Sequence, residues 1–364
     1  MTDRLMVFEQ QDEAGASTGQ TLSMDKVEFT PLTYSELMGL KLSGKIAVSL
    51  CWKDATIVAS NFAGLTPSQV ISGNTWVESP YSSKALGLVK GGWLPSGLAL
   101  TTGMVILPDR CIVSELQSRF HGGVKKEGQG KDFLDFFDTP GILINPLLFA
   151  LEGNARSHLG PTAVKQQLKE ASSKLQTALP AAKLVPDSAG GLAGVLGLAE
   201  ETQAGISKKR AFLLELAPLL APAIGAKKRG QLWEAVLLAA KRHGVPANSL
   251  VVIAALSAVM NPMNANPGKR LLKFAPNYSD GDAYNALSDI RALELLMALF
   301  SLFPTQPLML CTSDKNMALF WAGLRASNFH IADGKIHYSL DPETDLLPGL
   351  NADQRMQIFG AQQD

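Results

Sequence analysis

Residues Met104–Leu116 read MVILPDRCIVSEL. The first four residues are apolar, Pro108 ends the run, and an apolar helical pattern follows Asp109. A short apolar run bounded by a proline indicates a strand buried on both faces, and a helix directly after it is typical of a parallel α/β sheet. Asp109 therefore stands at the mouth of a buried strand, where desolvation opposes its negative charge.

The same pattern occurs a second time in PLMLCTSDK, residues 307–315. Leu308 to Cys311 predict another buried strand, and Asp314 follows it closely. Sites in open parallel sheets form beyond the carboxyl ends of the strands, so both aspartates are candidates for one site. The alternative is that each aspartate only caps the helix after it or closes an Asx-turn.

Composition indicates a globular protein, and the length is enough for two or three domains. The 364 residues are 46% hydrophobic and 18% charged, and Lys+Arg and Asp+Glu both number 33. A formal net charge of zero gives no global argument for a nucleic-acid ligand. Three widely spaced cysteines predict neither a disulfide framework nor a zinc site, and they fit a reducing compartment.

The chain divides into three predicted parts. Residues 1–25 are polar and predict a flexible tail. Residues 26–103 predict an amino-terminal β-containing module or an edge extension of the main domain, with a hairpin turn at Lys53 and Asp54. Residues 104–364 predict the main α/β domain, with a helical insertion at about 160–260 that is rich in Ala, Leu and Lys.

Two further acids border predicted apolar helix faces. In the helix predicted over 288–303, a turn of 100° per residue places Asp289 beside Leu293 and Leu296, whereas Arg291 falls on the polar stripe. Asn145 and Pro146 predict the start of another helix, and Glu152 borders its apolar face. Asp289 as a helix N-cap and Glu152 as a solvated helix end are the alternatives.

Four carboxylates that converge on one patch require a cation if all are to stay charged. Oxygen ligands favour Mg²⁺ or Mn²⁺ over zinc. Such an ion holds phosphate oxygens and activates water for in-line attack on a phosphodiester. Asp109, Glu152, Asp289 and Asp314 are therefore the predicted metal ligands.

These segments resemble the PIN-domain family of metal-dependent nucleases. MVILPDRCIVSEL resembles the family's opening strand and helix, with Asp109 as its first acid. LLFALEGNA resembles the element that carries the family's second acid, here Glu152. LSDIRALELL resembles the element that carries the third acid, here Asp289. LMLCTSDKNMALF resembles the closing strand with its Thr-x-Asp signature, here Thr312 and Asp314. The resemblance covers about 104–158 and 278–330.

The resemblance implies a Rossmann-like three-layer fold and a Mg²⁺- or Mn²⁺-dependent nuclease that acts on nucleic acid, RNA by preference. Thr312 would steady the site through its hydroxyl group. An antitoxin or another protein is a possible partner in this family. Cys111 stands where many members carry Asn, and Asp280 or Asp282 could replace Asp289 as the third acid.

Basic clusters recur in the predicted insertion at 208–210, 227–229 and 241–243. Contacts with phosphate and ordinary solvated helix ends both explain such clusters. Lys125, Lys126 and Lys131 lie in a glycine-rich loop and are further candidates for contact with a substrate backbone.

Two other functions remain open from the sequence. One is a PIN-like scaffold that binds nucleic acid or a protein without cleavage. The other is a phosphohydrolase that acts on small phosphate esters. No apolar stretch reaches the length that spans a bilayer, and residues 1–20 lack the pattern of a targeting segment, so we expect a cytoplasmic protein without membrane contact.

Overall fold

The computed structural model describes residues 5–152, 160–186, 193–194, 196–197, 200, 205–263 and 265–359. Over these residues the protein is a mixed α/β structure in which parallel and antiparallel strands share one sheet. Within the described ranges, no helix is both long and apolar enough to cross a membrane.

The strands, in chain order, are β1 (Met6–Gln11), β2 (Ser17–Asp25), β3 (Glu28–Phe29), β4 (Ile46–Ser60), β5 (Val70–Ser79), β6 (Leu86–Val89), β7 (Gly92–Pro95), β8 (Val105–Pro108), β9 (Phe120–His121), β10 (Val124–Lys125), β11 (Leu143–Ile144), β12 (Lys183–Leu184), β13 (Leu308–Thr312), β14 (Ser327–Ala332) and β15 (Lys335–Ser339).

The α-helices, in chain order, are α1 (Tyr34–Gly39), α2 (Arg110–Arg119), α3 (Leu147–Glu152), α4 (Pro161–Ala178), α5 (Ile206–Leu220), α6 (Arg229–His243), α7 (Leu250–Met260), α8 (Pro267–Leu272), α9 (Asp280–Leu302), α10 (Lys315–Leu324) and α11 (Ala352–Phe359). Short 3₁₀ helices span Phe133–Asp138 and Ala226–Lys228.

The main sheet has the strand order β12-β11-β8-β13-β6-β7. Its first four strands are parallel, whereas β6 and β7 are antiparallel additions at one edge. β8 and β13 are buried almost throughout because helices pack against them, and this accounts for their uninterrupted apolar sequences. After β8 the chain adds β11 and β12 on one side and later β13 on the other, so the strand order reverses between β8 and β13.

The amino-terminal sheet contains β1 to β5 and corrects two sequence predictions. Residues 6–25, predicted as part of a flexible tail, form β1 and β2, and Leu22 and Met24 of β2 are buried. No hairpin turns at Lys53 and Asp54. The chain continues through them as the single strand β4. Asp54 has a positive φ and lies in a β-bulge, and β5 pairs with β4 both before and after this bulge.

The boundaries of the predicted parts also differ. β6 and β7, from the segment 26–103, complete the edge of the main sheet, which is the edge-extension alternative. The segment 160–260 is largely helical, as predicted, but it is not wholly an insertion. Its first helix, α4, leads into β12, which pairs in parallel with β11 of the main sheet.

The two sheets are joined at Trp93. Its indole Nε1 donates to the carbonyl oxygen of Thr33 at 2.9 Å, and Leu32 and Trp93 form a backbone bridge. A side chain at Gly92, whose φ is +154°, would overlap the Leu32 carbonyl group. The glycine thus permits a close approach between β7 and the segment that connects β3 with α1.

Candidate active site

Asp109 and Asp314 lie directly beyond the carboxyl ends of β8 and β13, which are neighbouring parallel strands. Both are helix N-caps. Asp109 Oδ1 accepts from the backbone N–H of Ile112 at 2.8 Å, and Asp314 Oδ1 accepts from those of Asn316 and Met317 at 2.7 and 3.2 Å. The capping alternative is therefore correct as a local description. It uses one oxygen of each carboxylate in these bonds.

Thr312 connects the two aspartates. Its buried hydroxyl oxygen accepts from the backbone N–H of Asp314 at 3.0 Å, and hydrogen bonding from Thr312 lowers the pKa of Asp109. A hydroxyl group can do both at once, whereas a methyl group at this position could do neither. The printed contact of this hydroxyl lies within the end of β13, and the predicted role of Thr312 in steadying the site stays a prediction.

Glu152 approaches from α3. Asn145 Oδ1 caps the start of this helix by accepting from the backbone N–H of Leu147 at 3.0 Å. At the other end, Tyr284 of α9 donates to the carbonyl oxygen of Glu152 at 2.6 Å. The predicted end of this helix, beyond Glu152, lies outside the described residues.

Asp289 projects from α9, but not from its first turn. This helix begins at Asp280 with Ser279 as its N-cap, so the prediction of a helix start at 288 and the N-cap alternative for Asp289 are both wrong. Asp282 is held by Ser279 in a capping box, and Asp280 lies 3.3 Å from Arg210. Of these three acids, Asp289 is the one that lines the cleft described next.

A polar cleft of about 240 Å³ lies at the reversal of strand order and brings the four predicted acids together. Its other lining residues are Cys111, Leu148, Leu151, Lys273, Asn285, Ser288, Arg291, Ala292, Leu295, Ser313 and Met317. The reversal point of an open parallel sheet is where ligands bind, because the loops diverge there and leave a crevice.

Burial shifts three of the acids, Asp109, Glu152 and Asp289, toward their neutral forms, and repulsion from neighbouring acids adds to the shift at Asp109 and Asp289. Burial raises the pKa of Asp109 to about 6; hydrogen bonds from Thr312 and Ile112 oppose the shift, and the charges of Glu152 and Asp314 add to it. Burial raises the pKa of Asp289 to about 7, although Lys273 opposes this. Burial also raises the pKa of Glu152, against the effect of Arg110 and Lys273.

Three basic side chains accompany the acids. Lys273 Nζ lies 3.8 Å from Asp289 Oδ2 at the exposed rim. The Arg110 guanidinium stacks over the Phe149 ring at 4.4 Å. Arg291 lines the cleft and is buried, and burial lowers its pKa. The sequence prediction that Arg291 lies on a polar stripe is therefore wrong, because α9 is packed on nearly all sides and has no such stripe.

Cys111 adds a thiol to the cleft. Burial and the neighbouring acids raise the pKa of this thiol, and Ser313 opposes the shift through a hydrogen bond. At neutral pH the group is therefore a neutral thiol rather than a nucleophilic thiolate.

The donor set fits a hard divalent ion in its chemistry, because the cleft offers carboxylate oxygens from four chain segments. The side chains are not preassembled, however. Within the described residues, no three His, Cys, Asp or Glu groups are arranged so that they could hold a metal. Mg²⁺ keeps several waters in proteins, so a site of this kind can bind through one or two carboxylates and water bridges.

Several basic residues of the predicted phosphate contacts are instead engaged within the protein. Lys209 pairs with Glu294 at 2.6 Å, and Arg242 and His243 both pair with Glu215 at 2.5 and 2.7 Å. In the loop after α2, Lys125 pairs with Asp135 at 2.9 Å and Lys126 donates to a carbonyl oxygen. Lys131 lies over the Tyr81 ring.

The cluster at 227–229 differs from the others. Lys227 and Lys228 are exposed in the 3₁₀ turn before α6, and no acidic partner contacts either of them in the described part of the chain. Phosphate contact by these two lysines stays a prediction.

The case for this site rests on its geometry, because comparison with known proteins found no match. No family model matches the chain, and no curated protein or solved structure matches it significantly.

Proposed function

We propose that the cleft is the active site of a Mg²⁺- or Mn²⁺-dependent nuclease of PIN type that cleaves RNA. The observation that carries the proposal is that four carboxylates from four chain segments line one cleft, and that burial opposes the charges of Asp109, Glu152 and Asp289. Natural proteins retain such an arrangement when a cation offsets its cost.

The order of the parallel strands supports the proposed Rossmann-like three-layer fold. Numbered along the chain, the four strands run third, second, first, fourth across the sheet. This is the beginning of the strand order of doubly wound sheets. The strand order reverses between β8, which leads to Asp109, and β13, which leads to Asp314. The three cysteines are free, which fits the cytoplasmic location that we propose.

Each cleft residue has a distinct part in the proposed reaction. Asp109 and Asp314 are oriented by their capping bonds, and their remaining carboxylate oxygens would bind the ion directly or through water. Asp289 and Glu152 have raised pKa values that suit a group accepting a proton from the attacking water. Arg291 and Lys273 are placed to contact phosphate oxygens. When bound, the divalent ion would supply Lewis-acid stabilisation of the phosphate.

The test is a cleavage assay on matched RNA and DNA strands with Mn²⁺, with Mg²⁺ and with a chelator. We expect RNA cleavage that requires the ion. Cleavage should fall at least about 100-fold in Asp314→Asn, because the variant loses a carboxylate of the site. The fold should be preserved, because Asn also caps helices. Asp280→Asn on the same helix as Asp289, but outside the cleft, is the matched control and should cleave normally.

Other results identify the two alternatives. RNA binding without cleavage under any metal condition would replace the proposal with the scaffold function. Turnover of a chromogenic phosphate monoester with no effect on RNA would replace it with a small-ester phosphohydrolase.

A further inference from the structure

A second candidate metal site lies away from the acid cleft, on the hairpin of β14 and β15. Asp333 and Gly334 form its two-residue turn, both with positive φ. His330 and His337 are directly opposed cross-strand partners. Their rings are stacked with centroids 5.3 Å apart and planes inclined by 17°, and both side chains are exposed.

The hydrogen bond of His330 fixes its tautomer. Its Nδ1 lies 2.7 Å from the carbonyl oxygen of Asn328. A carbonyl oxygen only accepts, so Nδ1 carries the hydrogen and the lone pair of the neutral ring is on Nε2. Metal-bound histidines are held in this way, with the second ring nitrogen donating to a carbonyl or carboxylate oxygen.

The face of the hairpin opposite the two histidines packs against helices α9 and α10. Phe329 lies 5.2 Å from the Phe300 ring of α9 and 6.4 Å from the Trp321 ring of α10. An isolated two-stranded hairpin is marginally stable, but this one is fixed on two helices of the main domain. The two imidazoles are therefore presented at little cost in ordering.

We propose that His330 and His337 form a two-imidazole site for a borderline divalent transition-metal ion, namely Zn²⁺, Ni²⁺ or Cu²⁺. Imidazole nitrogens prefer these ions, whereas Mg²⁺ prefers oxygen ligands such as those in the cleft. Opposed β-carbons lie about 4.5–5.5 Å apart, so one ion can reach both rings if the His337 ring turns toward it while His330 keeps its bond to Asn328; Zn²⁺ requires nitrogens at roughly 2.0–2.1 Å. Water would complete the coordination, which makes the ion exchangeable.

Copper titration of the full chain, without an added histidine tag, tests this inference. The readout is electron paramagnetic resonance, because its nitrogen couplings report imidazole ligands and distinguish this site from the oxygen ligands of the cleft. We expect one Cu²⁺ with couplings to two nitrogens in the wild type. His330→Gln and His337→Gln should each weaken binding at least about tenfold, as expected on loss of one arm of a chelate.

His121→Gln is the matched control, since His121 is also exposed and lies on another short strand pair. Its spectrum and affinity should equal those of the wild type. The inference is overturned if the wild type shows no two-nitrogen signal, or if that signal persists when His330 and His337 are both replaced by Gln. Neither result bears on the nuclease proposal, because cleavage depends on residues of the separate acid cleft.

Discussion

At Asp109, capping and electrostatics act in opposite directions. The carboxylate stabilises α2 through its bond with Ile112, while burial and two nearby acids raise its pKa to about 6. The folded protein therefore keeps a proton that the unfolded chain has released, so stability falls as the pH rises from about 4 to 6 and stays lower above that. Below pH 4 both states are protonated and the cost disappears.

Asp109→Asn should remove this cost and keep the cap, because Asn is an equally good N-cap residue. In the presence of a chelator, we expect the free energy of unfolding of this variant to exceed that of the wild type by about 1–3 kcal/mol at pH 8 and to differ little from it at pH 4. Urea unfolding at both pH values measures the difference. Asp353→Asn, at an exposed position in α11, is the control and should be neutral at both. Equal effects of Asp109→Asn at the two pH values would contradict the electrostatic explanation.

At the scale of elements, sequence reasoning succeeded where signals are local. The run before Asp109 and the Thr-x-Asp before α10 mark a buried strand and a helix cap within a few residues, and both are found. The prediction of which side chains of α9 face solvent failed, because a helix that is buried on nearly all sides has no single apolar face. Arg291 was misplaced for that reason, and Lys273 gave no local signal of its place in the cleft.

Helices α5 and α9 are tied by the largely buried pair of Lys209 and Glu294. Lys209→Glu would place two carboxylates together, and we expect it to lower the free energy of unfolding by roughly 1–3 kcal/mol. Lys227→Glu makes the same charge change at an exposed position and should alter stability by less than about 0.5 kcal/mol. Urea unfolding of both variants is the measurement, and a Lys209→Glu protein as stable as the wild type would show that the pair contributes nothing.

At the scale of the whole molecule, the amino-terminal residues were misjudged because long-range pairing leaves little trace in a polar strand. Only Leu22 and Met24 of β2 are buried, and both pair with residues of β4 more than thirty positions later. The main α/β class was predictable because each strand and helix shows its own pattern. The sheet that packs against it depends on contacts between distant segments, which no local pattern specifies.

Met24→Lys tests whether the amino-terminal sheet belongs to the folded unit. Met24 is fully buried, and a charge there should cost several kcal/mol of stability and lower the thermal midpoint by more than about 5 °C. Val7→Lys, on the exposed side of the neighbouring strand β1, is the matched control and should be nearly neutral. A mobile tail would tolerate both substitutions equally, so circular dichroism melts of the two variants decide between the structure and the tail.

The central pair of strands, β8 and β13, has a consequence for synthesis of the protein. Their aspartates are about 200 residues apart in the chain yet adjacent in the sheet, so this pairing is among the most non-local in the fold. A chain still attached to the ribosome carries Asp109 and Glu152 long before Asp289 and Asp314 emerge. The cleft therefore cannot assemble until β13 and Asp314 have been translated and have emerged, and any chemistry that needs all four acids begins only then.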